Sequence, residues 1–169
     1  CPLSMTDSLT RTLKKFGGEK LVEKFFNQLT SQDFDYLFQG AMFMTEQHAG
    51  SDVGSIDTFA EFEHGNWFLT GDKWFCSNPD ADLAMVLARH NKKISGTKGL
   101  ALFLLPKKLE NGDPNNYEII RLKDKLGGRS FASGEIKLNR AFAYLVGNLD
   151  EGFIQMTDMI NMSRLSNGV

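Results

Sequence analysis

The chain has 169 residues, of which 41% are hydrophobic and 24% charged, the make-up of a globular domain long enough to close a sizeable core. A net charge of -2 and a pI near 5.9 give no overall attraction to nucleic acid or to an anionic membrane. Cys1 and Cys76 stand far apart without a CxxC or Cys/His spacing, so neither a disulfide framework nor a structural zinc site is indicated, and no apolar run approaches the roughly 18 residues of a membrane span.

Two short helices are expected over residues 5–29. Thr6 and Asp7 are good cap residues, Leu9, Leu13 and Phe16 recur at helical spacing, and Gly17-Gly18 stops the first helix. Leu21, Val22, Phe25, Phe26 and Leu29 then form an apolar stripe on the second. From about residue 40 the punctuation changes to short β-prone runs: Phe59, Trp67 to Leu69, Trp74-Phe75, Leu83 to Ala88, Gly99 to Leu105, Tyr117 to Leu122 and Glu135 to Leu138. His64-Gly65-Asn66 and Thr70-Gly71-Asp72 read as tight turns between strands, and Asn111-Gly112-Asp113-Pro114 as a longer loop. After Val146-Gly147 a helix is expected from about Glu151 to Ser166. This order predicts an α+β fold, an antiparallel β-barrel or sandwich flanked by helices.

Charge is unevenly spread. Residues 31–72 contain no Lys or Arg, whereas 89–108 carry Arg89, Lys92, Lys93, Lys98, Lys107 and Lys108 and no acid. Solvated hairpin ends are the favoured explanation over a phosphate-binding patch. Because the chain starts at Cys1 without Met and stops at Val169 inside an expected helix, it is read as a segment of a longer protein. The sparse cysteines suit a reducing compartment, and a cytoplasmic location with no membrane partner is expected.

Three stretches carry chemistry. In Thr45-Glu46-Gln47-His48-Ala49-Gly50-Ser51-Asp52-Val53-Gly54, glycines bring backbone N–H groups close to a ligand and hydroxyls supply rotatable donors. A structural turn with Asp52 bonding its own backbone explains it equally well. In Gly71-Asp72-Lys73-Trp74-Phe75-Cys76-Ser77-Asn78 the aromatic pair suits a planar heteroaromatic ligand, although strand side chains feeding the core are the favoured alternative. In Leu126-Gly127-Gly128-Arg129-Ser130, Arg129 either holds a phosphate or pairs with an acid. His48, His64 and His90 have no metal-ligand spacing and no evident Ser or Cys partner, so no metal site and no nucleophilic triad are expected.

The order of these motifs resembles the acyl-CoA dehydrogenase family over nearly the whole chain, centred on its middle β-domain. Met44-Thr45-Glu46 runs into Ala49 to Gly54, then Gly71 to Asn78, Lys125-Leu126-Gly127, Val146-Gly147, Gly152-Phe153 and Ser163-Arg164. Cys1-Pro2-Leu3-Ser4-Met5-Thr6, Lys73-Trp74-Phe75 and Leu122 to Gly127 lean toward the alkylation-response branch of that family. On this resemblance residues 1–38 are the end of an N-terminal helical domain, 39–148 the middle domain, and 149–169 the start of a C-terminal helical domain.

The resemblance implies an FAD-dependent oxidation of an acyl-CoA to the 2,3-enoyl product, in a homo-oligomer, a tetramer or dimer. Thr45 would bond the pyrimidine edge of the flavin, helped by the backbone around Met44 and Glu46. Phe75 would lie against the isoalloxazine, where the family usually has Trp, and Ser77 near N5, where Thr is usual. Gly50 and Ser51 would bound the FAD pyrophosphate and the acyl-CoA channel, and Arg164 would match an arginine that opens a C-terminal-domain helix near the active site. Gln47-His48 departs from a segment that often contains Pro. No catalytic residue is expected in this segment, since the family's glutamate base lies beyond Val169 and neither Glu46 nor Glu135 matches it; the segment alone is therefore expected to be inactive. Two alternatives stand beside this reading: an alkylation-response flavoprotein with a DNA-protection role and little dehydrogenase turnover, and a β-barrel binding module without a cofactor.

Overall fold

The structure, a computed structural model, describes residues 2–168. The first two helices are α1 (Pro2–Phe16) and α2 (Gly18–Leu29). The first begins a turn before the expected caps, at Pro2, where a fixed φ and a missing N–H cost nothing. Thr6 is consequently inside the helix: its hydroxyl donates to the Pro2 carbonyl (2.8 Å) and accepts the Gly40 N–H (2.9 Å). Gly40 favours this close approach, because a Cβ there would stand 3.0 Å from Thr6 Cα and 3.1 Å from Leu9 Cβ. Glycine thereby lets α1 lie directly on the first strand.

Seven strands follow: β1 (Gly40–Phe43), β2 (Phe59–Glu63), β3 (Asn66–Ser77), β4 (Leu83–Arg89), β5 (Leu100–Pro106), β6 (Tyr117–Leu122) and β7 (Ser133–Val146). The last helix is α3 (Gly152–Gly168). The β2–β3 turn is the expected one, with His64 and Gly65 both at positive φ (50° and 84°), the backbone that a two-residue hairpin requires. The second expected turn is absent. Thr70, Gly71 and Asp72 instead continue β3 across an irregularity at which Arg140 of β7 is the extra residue. Gly71 is required by close approach, since a Cβ would stand 2.7 Å from both Cα and Oγ1 of Thr58.

The expected antiparallel barrel is overturned. The strands form one seven-stranded mixed sheet, ordered β1-β4-β2-β3-β7-β5 with β6 on β7 and a further β4–β5 pairing. Both β1 and β2 run parallel to β4, and β2 meets β4 at a single pair, Phe59 opposite Arg89, so no continuous ladder closes a barrel. Short spacings between β-prone runs report only on consecutive strands, whereas β1 and β4 are neighbours separated in sequence by a loop and a hairpin.

The continuous apolar runs of β4 and β5 are explained by burial on both faces. Ala84, Val86 and Ala88, with Ala101, Phe103 and Leu105, point into a core completed by Leu69, Ile136 and Leu138. Leu83, Met85 and Leu87, with Leu100, Leu102 and Leu104, point the other way, onto Leu9, Leu13, Phe25, Met156 and Met159 of the three helices. A Cβ on Gly152 would stand 2.4 Å from the Ala101 carbonyl carbon, so glycine brings α3 onto β5. No described helix is long and apolar enough to cross a membrane.

Candidate functional site

The Thr45 loop leaves β1 and is held from inside by a buried ion pair. Lys73 Nζ, with a fully buried side chain, donates to Glu46 Oε1 (2.8 Å), the Leu87 carbonyl (2.8 Å) and the Met44 carbonyl (3.3 Å). Three acceptors match the three donors of an ammonium. Glu46 also accepts the N–H groups of Asp57 (2.7 Å) and Thr58 (3.0 Å) and the Thr58 hydroxyl (2.5 Å). Burial acts to raise the Glu46 pKa, but Lys73, Thr58 and the Asp57 amide outweigh it and hold the carboxyl below its usual range. Burial pushes the Lys73 ammonium down; its complete set of acceptors nonetheless makes the charged pair the species at neutral pH. The side chain of Glu46 is therefore spent on the loop, leaving only its backbone to face a ligand.

Further contacts finish the loop. Reciprocal backbone bonds between Glu46 and Ala49, both 3.3 Å, make residues 46–49 a tight turn, and the Thr45 carbonyl accepts the Trp74 N–H at 2.8 Å. Asp52 accepts from Gly54 N–H (3.1 Å) and the Ser55 hydroxyl (2.5 Å), which is the self-bonding turn weighed for this stretch. Arg89, from the basic run, donates to the carbonyls of Gly54 (2.6 Å), Ile56 (3.2 Å), Ile94 (2.7 Å) and Gly96 (3.3 Å), tying this loop to residues 94–96. Lys92 lies 4.3 Å from the Phe59 ring centroid and Lys107 pairs with Asp80 at 2.7 Å, so these members of the run are engaged within the chain.

On β3 a second irregularity matters most. Lys73 stands opposite Ile136 and Cys76 opposite Gly134, so Trp74 and Phe75 together oppose Glu135 alone. Lys73 and Cys76 both point inward although three residues apart, and the two aromatic residues between them point outward. Neither ring joins the core, contrary to the favoured expectation: Trp74 is half-buried and Phe75 is 50% exposed. Burial pushes the Cys76 thiol up to about 12, which leaves it unreactive.

The structure thus brings Met44, Thr45 and Glu46 beside Trp74 and Phe75, with Gly50 and Ser51 exposed on the same loop and Ser77 exposed at the end of β3. The hydroxyls of Thr45, Ser51 and Ser77 make no hydrogen bond to another described residue, and nothing lies closer than 4.0 Å to a Cβ built on Gly50. An outward aromatic ring on a strand to which the Thr45 loop is fastened fits a flat heteroaromatic group with polar edges. Arg164 is not brought into this group by any hydrogen bond; it lies exposed in the last turns of α3 rather than opening a helix. Arg129 reaches Asp124 (3.8 Å) and the Lys125 carbonyl (2.8 Å), the acid-pairing alternative.

Catalytic groups do not assemble. His48 pairs with Asp57 (2.9 Å) at the mouth of a cavity of about 500 Å³, and His90 faces Asp150 at 3.3 Å, but no Ser, Thr or Cys bonds either ring among the described residues. No group of three His, Cys, Asp or Glu among them could hold a metal ion. Sequence reasoning missed Lys73 and Arg89 as builders of the site; a Lys at an inward strand register, paired with the acid in an apolar stretch, was the available clue.

A family model described as acyl-CoA dehydrogenase, middle domain, matches residues 41–141. The chain belongs to the acyl-CoA dehydrogenase family. Among acyl-CoA dehydrogenases it is 36% identical, over its whole length, to acyl-CoA dehydrogenase family member 11 of Caenorhabditis elegans, and it spans 29% of that protein. It is likewise 36% identical, over 97% of its length, to the putative acyl-CoA dehydrogenase AidB of Escherichia coli, spanning 31% of it. The crystal structure of the worm protein ACDH-11 in complex with C11-CoA superposes with a TM-score of 0.89 at 36% identity, over 99% of this chain and 30% of that one. The chain thus spans about a third of the length of these acyl-CoA dehydrogenases.

Proposed function

We propose that this chain forms the flavin-facing part of an FAD-dependent oxidoreductase that acts on an acyl-CoA thioester. The observation that carries the reading is the β3 irregularity, which turns Phe75 outward beside a Thr45 loop fastened to β3 at Trp74 N–H and Lys73 Nζ. Bound FAD would supply hydride acceptance from the acyl chain. The residues of this chain would hold and orient it: Thr45 and the backbone of Met44 and Glu46 at its polar edge, Phe75 against its face, Ser77 near its redox-active nitrogen, and Gly50 and Ser51 toward its phosphates and the acyl-CoA. In this reading residues 39–148 make up the middle domain, 1–38 and 149–169 belong to its helical neighbours, and the proton-abstracting base comes from outside residues 1–169. The C11-CoA in the worm structure supports an acyl-CoA as the substrate class.

Membership in the alkylation-response branch is a narrower proposal, since the worm protein matches ahead of AidB, over the whole chain against 97% of it, at the same 36% identity. The DNA-protection alternative draws no support from the basic run, where Arg89 is spent on backbone carbonyls. The test is the visible spectrum of the full-length protein before and after anaerobic addition of a series of acyl-CoAs. A flavin band bleached by one of them is expected. A flavin band that none bleaches would favour the DNA alternative, and a colourless protein that takes up no added FAD would sink the flavin reading.

A further inference from the structure

The two outward rings of β3 are backed by charge that the proposed function leaves unexplained. Lys123, just after β6, has a side chain only 10% exposed, with Nζ 3.0 Å from the Trp74 ring centroid and 4.9 Å from that of Phe75. Its partner is Glu135, the residue opposite the irregularity, at 2.5 Å. The same Glu135 oxygen accepts from Arg121 at 2.8 Å, and Arg121 lies 5.9 Å from the Trp74 centroid. Two cations share one carboxylate, so the cluster keeps a net positive charge against the rings. The inward ion pair of β3, Lys73 with Glu46, sums to zero. Glu135 is a carboxylate at neutral pH, its pKa held down first by its bond to Lys123 and further by Arg121.

We propose that Lys123 sets the reduction potential of a flavin held against Phe75, with Glu135 opposing it. The inference rests on the flavin reading above. Reduction places negative charge on the flavin ring, so a poorly screened cation 4.9 Å from the centroid of the stacking residue favours the reduced form, and the carboxylate disfavours it. Partial burial of Lys123 makes its charge count for more than that of a solvated lysine. The charge also has a fixed place: the Lys123 backbone N–H donates to the Ser133 carbonyl at 2.8 Å and its Nζ donates to Glu135 Oε1 at 2.5 Å.

The test uses the flavin-loaded full-length protein and its Lys123→Met, Glu135→Gln and Lys123→Arg variants, with the flavin midpoint potential read by spectroelectrochemistry. Lys123→Met is expected to lower the potential and Glu135→Gln to raise it, each by about a tenfold change in the ratio of affinities for reduced over oxidised flavin, or about 30 mV for a two-electron couple. Lys123→Arg should stay at the wild-type value. Variants that hold flavin at an unchanged potential would overturn the proposal, and so would shifts of the same sign in Lys123→Met and Glu135→Gln, because simple loosening of the strand pair moves both alike. If Lys123→Met does not fold, the sign of the Glu135→Gln shift decides. A wild-type protein that takes up no flavin would instead remove the reading on which the proposal stands.

Discussion

The two lysine–glutamate pairs on either side of the Trp74-Phe75 irregularity have the same chemistry and opposite consequences. Lys73 and Glu46 face inward, have every donor matched, and join β1, β3, β4 and the segment before β2 at one point. Lys123 and Glu135 face outward beneath the aromatic rings, and Glu135 keeps a second cation if one is lost. The inner pair is thus committed to holding shape, and the outer one is free to act on what lies outside. An ion pair's worth depends on what remains when one partner goes.

Substitutions that separate inner from outer follow, in falling order of effect. Lys73→Met strands a buried carboxylate and is expected to cost about 3–5 kcal/mol in urea unfolding at neutral pH. Its pH dependence sharpens the comparison. In the wild type the depressed Glu46 pKa contributes stability that is present above the unfolded value, about 4.3, and lost as pH falls through the folded value. In Lys73→Met burial acts on Glu46 without Lys73 to oppose it, the folded pKa rises, and acidification protonates the stranded group, so the gap between variant and wild type should narrow from pH 7 to pH 4. An unchanged gap would remove Glu46 from the account.

Gly71→Ala tests the inner side by shape alone. A methyl 2.7 Å from Thr58 Cα, on a backbone at φ 147°, must push apart β3 and the residue that anchors Glu46, with an expected loss of about 2 kcal/mol read by thermal melting. On the outer side, Lys123→Met should leave the urea midpoint near that of the wild type while it changes the flavin potential. Ile120→Ser, on the outermost strand at 52% exposure, should fall within about 0.5 kcal/mol of wild type.

Much of this architecture was legible because apolar spacing and glycine punctuation are local properties. The stripe from Leu21 to Leu29, the His64-Gly65 turn and the runs of β4 and β5 all appear where the sequence puts them. Thr70-Gly71-Asp72 misled because a glycine required by the approach of Thr58 looks the same in sequence as a glycine required by a turn. The far half of β7, Asn139 to Val146, was not recognised as strand because Asn139-Arg140 interrupts the pattern where the extra residue sits. The outward pair Trp74-Phe75 was unreadable for a related reason: strand alternation sends one of two adjacent residues inward, and only a partner strand one residue short, opposite at Glu135, sends both out. Thr45, Ser51 and Ser77 were singled out by motif, and their hydroxyls make no hydrogen bond among the described residues.

The outermost strand also bears on edge-to-edge pairing of strands. Among the described residues β6 pairs with β7 alone, and Ile119, Ile120 and Leu122 are exposed on it. Such an edge is a template for fibre-like stacking. Glu118 and Arg121 interrupt the apolar side chains with charge, and the irregularity between Ile119 and Arg121 spoils the regular repeat that an incoming strand would have to match. The irregularity beside Arg121, whose guanidinium donates to Glu135 at 2.8 Å, is thus expected to hinder strand-to-strand pairing at this edge.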